Sequence, residues 1–210
     1  MSFGYPVALD LVGRPCLVVG GGPVAERKAA GLLAAGARVT VVSPSLTTPL
    51  LALAGEARVH WKPREYASGD AAGFTLVMVA AAEPGVAEAV SSECQERGIL
   101  VNCADDPARC DFILPAVFRR GLLTVAVSTG GASPTMARLV RDLLDARLPD
   151  GAAALTDVVA DVRRSLRQDG ISPDAERWRE AVDAEFRSPA AAGHAGDARR
   201  RLQERLGASG

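Results

Sequence analysis

Two groups of residues in this chain have types and spacing suited to chemistry. The first is the corner Val19-Gly20-Gly21-Gly22-Pro23-Val24-Ala25, where Gly20, Gly22 and Ala25 fit the pattern G-x-G-x-x-A. Gly20 permits a tight turn, Gly22 lets a pyrophosphate approach the backbone, and Ala25 lets the next helix pack close to its strand. Unpaired N–H groups at that helix start, with the helix dipole, would hold the anion. The corner therefore predicts dinucleotide binding at Gly20 and Gly22. The second group is Asn102-Cys103-Ala104-Asp105-Asp106-Pro107, which follows an apolar strand-like run. A carboxylate just past the carboxyl end of a strand, beside a nicotinamide, is placed to act as a general base. The same Asp105-Asp106-Pro107 also reads as a turn with capping carboxylates, and spacing alone leaves both readings open.

The usual partner of a glycine corner is an acidic residue at the end of the second strand, which binds the adenosine ribose. Here that strand ends Thr40-Val41-Val42-Ser43-Pro44-Ser45, with no carboxylate. Backbone and hydroxyl groups of Ser43, Pro44 and Ser45 are left for the ribose. No arginine follows at once to attract a 2′-phosphate, which favours NAD over NADP. Four cysteines, Cys16, Cys94, Cys103 and Cys110, include no C-x-x-C pair, and the chain has only two histidines, His60 and His194. That set predicts no metal site. Cys16 and Cys103 lie in apolar runs and read as small buried thiols, and His60 reads as a strand histidine.

The elements that must position these groups alternate through residues 1–113. Strand-like runs at 14–19, 37–42, 57–61, 74–80 and 99–102 are interleaved with helical patterns at 24–35 and 86–97, closed by Gly36 and Gly98. Such alternation predicts an α/β fold, a Rossmann-like doubly wound parallel sheet with the nucleotide across its carboxyl ends. Residues 114–148 change grammar. Two strands meet at Arg119-Arg120-Gly121, a loop Thr129-Gly130-Gly131-Ala132 follows, and Ser133-Pro134 opens a helix. This small α+β region buries little by itself, which predicts a homodimer formed through it. Residues 149–210 form a helical C-terminal region, with amphipathic segments at 155–166 and 175–186 and a small-residue linker at 188–196. A short frayed tail helix is expected at Arg199-Arg200-Arg201, the arginines forming a solvated face.

The chain has 210 residues, 24 Lys and Arg against 25 Asp and Glu, and a formal net charge of −1 at pH 7. No bulk attraction to nucleic acid or to an anionic membrane follows from that balance. No apolar run suggests a membrane span and the first residues do not read as a secretory signal, so a cytoplasmic protein is expected.

Several motifs occur together in one order: the glycine corner through Glu26-Arg27-Lys28, Val41-Val42-Ser43-Pro44, Val101 to Pro107, Phe112-Ile113-Leu114-Pro115-Ala116, and Val125-Ala126-Val127-Ser128-Thr129-Gly130-Gly131-Ala132-Ser133-Pro134. The set resembles the precorrin-2 dehydrogenase/sirohydrochlorin ferrochelatase family, which also forms the N-terminal part of siroheme synthase. The resemblance covers about residues 5–145 strongly. It implies NAD-dependent oxidation of precorrin-2 to sirohydrochlorin, in some members followed by insertion of Fe²⁺ as a second substrate. It also implies a dimer, Asp105 as the catalytic residue, and nucleotide contacts at Gly22, Pro23, Val24, Ser43, Pro44 and Ser45. Asp106 keeps the turn role. The substrate is an acidic tetrapyrrole, so donors must line its cleft. Asn102, Arg119, Arg120, Ser128, Thr129, Gly130 and Ser133 stand in or beside the motifs, and Arg109 and Arg138 lie nearby. From another functional class, the chain reads as a non-catalytic NAD-sensing regulatory domain. Such a sensor needs neither Asp105 nor the Ser128–Ser133 loop.

Overall fold

Strands that are apolar on both faces need a covering layer on each side, and the first half of the chain is built that way. The computed structural model describes residues 3–83, 85–187 and 193–207. It divides into two compact units, Met1–Leu114 and Pro115–Gly210. In the first unit β1 (Pro15–Val19), α1 (Pro23–Ala34), β2 (Arg38–Val42), α2 (Thr48–Gly55), β3 (Val59–Lys62), β4 (Leu76–Val79), α3 (Val86–Arg97) and β5 (Leu100–Cys103) follow one another. The strands are parallel in the order β3-β2-β1-β4-β5. The expected doubly wound sheet is therefore present, and its strand order reverses between β1 and β4. In such sheets the crevice at that reversal, outside the carboxyl ends, is where ligands bind.

Cys16 to Val19 of β1 are all buried, and successive side chains enter opposite layers. Cys16 and Val18 pack with Ala25, Ala29 and Leu32 of α1 and Leu50 of α2. Leu17 and Val19 face the opposite side, with Val90 and Cys94 of α3. Fully burying one such Leu or Val contributes roughly 1.5–3 kcal/mol, so a one-residue slip would exchange the two layers. The edge of β5 is covered by Asp111, whose N–H donates to Val101 O and whose carboxylate accepts from Val101 N–H, both at 2.9 Å. The sequence reading passed over α2. Its signal is Thr47, whose hydroxyl accepts from Leu50 N–H, with proline in the first turn.

In the second unit β6 (Ala116–Arg120) and β7 (Leu123–Val127) form an antiparallel hairpin whose turn carries Gly121 at φ 57°. Helix α4 (Pro134–Arg147) starts at Ser133, whose hydroxyl accepts from Met136 N–H, and lies against both strands. Then come α5 (Ala152–Gln168), α6 (Ala175–Ala181) and α7 (Ala195–Gly207). Leu155, Val158, Val162 and Leu166 of α5 pack with Ala198, Leu202 and Leu206 of α7 and with Phe186.

Two expectations for this unit need correction. The helix expected over 175–186 ends at Ala181, because Asp183 accepts from Phe186 N–H at 2.8 Å and turns the chain so that Phe186 is buried. The tail is no short frayed helix but 13 residues docked on α5 through Ala198, Leu202 and Leu206 at four-residue spacing. Its arginines are ion-paired, Arg199 with Asp161, Arg200 with Asp197, and Arg201 with Asp183 and Glu185. Of the linker expected at 188–196, residues 188–192 lie outside the described residues. Among the described residues no helix is long and apolar enough to cross a membrane.

Candidate active site

At the glycine corner, each of the three glycines has a different job. Gly20 has φ 114°, and a Cβ there would lie 2.6 Å from Ala80 O at the end of β4. Gly21 is more confined: its Cβ would overlap Ser45 O at 1.8 Å and press on Ser43 Oγ at 2.7 Å. Gly22 has no heavy atom within 4 Å of its Cβ position, so open space lies over the residue that caps α1. Pro23 has no N–H, and the first intrahelical bond runs from Glu26 N–H to Gly22 O. The amides of Val24 and Ala25 thus have no acceptor within the helix. These features suit a phosphate group: an open approach at Gly22 and helix-start amides beside it.

The loop after β2 is locked onto this corner. Ser43 Oγ donates to Ser45 O at 2.7 Å, Trp61 Nε1 donates to Ser43 O at 2.9 Å, and Thr47 N–H donates to Gly21 O at 2.9 Å. Thr47 Oγ1 donates to the Glu26 carboxylate at 2.7 Å. Ser43 is consequently buried with its hydroxyl turned inward, whereas Pro44 and Ser45 are exposed. Of the three residues expected at the ribose, Ser43 shapes the loop, and Pro44 and Ser45 present its surface.

The carboxylate turn follows β5 along the same edge of the sheet. Gly20 abuts Ala80 after β4, and Ala104 N–H donates to Val79 O at 2.9 Å. The corner, the end of β4 and the Asp105 turn are therefore consecutive. Asp105 is exposed and has φ 61°, a left-handed conformation uncommon outside glycine and most readily taken by Asn and Asp. Among the described residues no hydrogen bond or ion pair reaches its carboxylate. Asp106, by contrast, accepts from Arg109 Nε at 3.0 Å and precedes the single 3₁₀ turn Pro107–Arg109. The turn is stapled from inside by Cys110, whose Sγ accepts from Cys103 N–H at 3.1 Å and donates toward Cys103 O at 3.2 Å and Asp106 O at 3.3 Å. Burial pushes the Cys103 thiol up to about 11, so it stays protonated.

Asn102, expected at the substrate, is buried, at 7% exposure. Its Nδ2 donates to Phe112 O at 2.9 Å and its Oδ1 accepts from Lys28 Nζ. That commitment makes it part of the support behind the turn rather than a surface open to a ligand. Lys28 and Cys110 are the residues here that sequence reasoning missed as part of a site. Lys28 stands in the quoted corner motif, but only the packing of α1 on β4 and β5 aims it at Asn102.

The other expected substrate residues belong to the second unit. Ser128 Oγ accepts from Gly130 N–H at 3.1 Å; Thr129 Oγ1 accepts from Ser133 N–H at 2.9 Å and donates to Ser133 O at 3.1 Å. With Gly130 at φ 63° and Gly131 at φ 92°, these bonds fix the loop shape. The Ser133 hydroxyl is the cap of α4. Arg120 pairs with Asp145 at 2.8 Å and donates to Asp145 O at 2.8 Å, which ties the hairpin to α4. Its guanidinium is thus occupied, while Arg119 is exposed. Among the described residues no group of three or more His, Cys, Asp or Glu side chains could hold a metal ion.

A parallel sheet with a glycine corner at its switch point defines a dinucleotide-binding domain, and the chain belongs to the family described as putative NAD(P)-binding, matched over residues 7–116. A second family, described as sirohaem biosynthesis protein central, matches residues 120–147. Among curated proteins, the siroheme synthase of Methylococcus capsulatus is 39% identical over 201 residues, covering 95% of this chain and 42% of its own length. That of Thioalkalivibrio sulfidiphilus is 42% identical over 172 residues, covering 82% of this chain and 35% of its own. The chain spans less than half the length of these relatives. Among solved structures, SirC, a precorrin-2 dehydrogenase, superposes with a TM-score of 0.75 at 26% identity, covering 96% of this chain and all of its own. The family resemblance carried by the motifs is borne out.

Proposed function

We propose that this chain oxidises precorrin-2 to sirohydrochlorin with NAD, and that Asp105 is the general base. The observation that carries the reading is the Asp105 carboxylate, exposed, without a bonded partner among the described residues and held in a left-handed turn beside the glycine corner. The helix-start amides of Val24 and Ala25 and the open face of Gly22 would hold the pyrophosphate, and Pro44 and Ser45 the ribose. NAD, when bound, supplies a hydride acceptor. A tetrapyrrole that gives up a hydride becomes a cation and must lose a proton to restore conjugation. Asp105 takes that proton. Arg119 and the amides of the Ser128–Ser133 loop meet substrate carboxylates; Ser128 and Thr129 line that loop.

A homodimer fits the apolar side chains that α4 leaves in water, Met136, Leu139, Leu143 and Leu144, each 44–50% exposed. Anaerobic turnover of precorrin-2 with NAD, followed at the NADH absorbance and in the tetrapyrrole spectrum, tests the reading. Asp105→Ala is expected to bind NAD normally while turnover falls at least about a hundredfold. Full activity of that variant would end the assignment. Adding Fe²⁺ to the same reaction reads whether the chain also inserts iron.

A further inference from the structure

Lys28 is a cation where a core would ordinarily place an apolar side chain. It leaves α1 on the face that also carries Ala25, Ala29 and Leu32. Its amine passes Met78 Sδ at 3.9 Å and ends on Asn102 Oδ1, with Met78 and Asn102 paired neighbours on β4 and β5. Among the described residues no carboxylate is hydrogen-bonded to it, and burial holds its pKa below the ordinary lysine value. The groups whose charge acts on it are Arg27 on α1, Cys103 on β5, Cys110 after the 3₁₀ turn, and Asp105. Both thiols are kept protonated by burial. Of these groups, Asp105 is the carboxylate, and it stands three residues beyond Asn102, past the end of β5.

We propose that Lys28 is a positioning residue for the step at Asp105: its ammonium clamps Asn102 at the end of β5 and sets a fixed positive charge behind the Asp105 turn. The inference rests on the function proposed above. Asn102, held at Oδ1 by Lys28 and at Nδ2 by Phe112 O, anchors the strand from which the turn departs. The charge has a separate effect. A substrate bearing many carboxylates brings like charge up to the Asp105 turn. A nearby cation that does not leave with the substrate offsets that.

Two substitutions separate the charge from the packing. Lys28→Met keeps an unbranched apolar stem, and Lys28→Arg keeps a charge at every accessible pH. NAD affinity, read by titration calorimetry, is expected to stay within about twofold in both, which shows the glycine corner intact. In Lys28→Met, kcat is expected to fall about tenfold or more with little change in KM for precorrin-2, the pattern of an interaction felt in the transition state. Lys28→Arg is expected to recover most of that loss. Wild-type kcat should decline on the alkaline side as Lys28 loses its proton, earlier than an ordinary lysine would, and Lys28→Arg should lack this decline.

Wild-type kcat and pH profile in Lys28→Met would overturn the proposal. So would loss of NAD binding in that variant, which would make Lys28 a structural tie only, or an arginine variant as slow as the methionine one with NAD affinity intact. Asp105→Ala measured alongside keeps the two readings apart. If it stays active, the general-base assignment fails. If it is inactive while Lys28→Met is not, the Lys28 inference alone fails.

Discussion

Gly21 is the glycine of the corner whose replacement should damage the fold most directly. An alanine Cβ there would stand 1.8 Å from the backbone oxygen of Ser45 and 2.7 Å from Ser43 Oγ. Rotation of a side chain cannot relieve contact with a backbone atom, so the loop must retreat by more than about 1 Å to reach normal separation. That movement breaks the hydrogen bonds Ser43 Oγ to Ser45 O, Thr47 N–H to Gly21 O and Thr47 Oγ1 to Glu26. At about 1 kcal/mol each the loss is roughly 3 kcal/mol. The stiffer unfolded chain returns about 0.5–1 kcal/mol, leaving a net destabilisation of about 2 kcal/mol, or roughly 4–8 °C in Tm for a chain of this size.

Gly22→Ala is the control. Its Cβ meets nothing within 4 Å and its φ of −82° suits any residue, so Tm should hold. NAD affinity should fall about tenfold or more, because the Cβ occupies the approach of the pyrophosphate. Thermal melts and NAD titrations of both variants decide the matter. A Gly21→Ala protein that melts and binds like wild type would refute the reasoning, as would a Gly22→Ala protein with unchanged NAD affinity.

Other parts of the chain make independent predictions. Asp70 is 8% exposed and receives Arg64 through both guanidinium nitrogens, Lys62 Nζ at 3.0 Å and Ala67 N–H at 3.0 Å, and Arg64 above all holds its carboxyl well below the usual range. A depressed folded-state pKa stabilises above the ordinary carboxylate value and loses that contribution as pH falls. Asp70→Asn should therefore cost about 1–2 kcal/mol at pH 7 in urea melts, the lower part of the usual range because Arg64 is half exposed. The gap should shrink below about pH 4; a gap constant down to pH 3 would contradict the assignment. Burial pushes Cys94 up to about 12 and Cys103 up to about 11, and all four cysteines are buried and free. A thiol reagent at pH 8 should label them only on unfolding, and rapid labelling of the native protein would show the core to be open. Leu139→Lys with Leu143→Lys should convert a dimer to a monomer in sedimentation without altering the circular dichroism spectrum, whereas an unchanged mass would place any interface elsewhere.

The sheet was legible because its central strands β1 and β4 are apolar runs between glycine or polar turns, and helices α1 and α3 stop where Gly36 and Gly98 follow. Helix α2 was passed over because its eight residues are too short to show a 3.6-residue period; only Thr47 and Pro49 mark its start. The tail was misjudged because its apolar residues, Ala198, Leu202 and Leu206, are few and set among arginines, and their partner face on α5 appears only once the helices pack.

At the site, the residue types alone determined that Gly22 must stay bare, that an acid is missing after Val42, and that Asp105 stands at the end of a strand. Those facts follow from what a Cβ, a carboxylate or a strand end permits, and they need no third dimension. Tertiary structure decided between residues of the same type. It put Gly21 under the Ser45 carbonyl, buried Ser43 and, among the described residues, left Asp105 with no hydrogen bond or ion pair. It also brought Lys28 to Asn102, 74 residues along the chain. A contact between residues far apart in sequence is set by how helix and sheet pack, and local spacing carries no record of it.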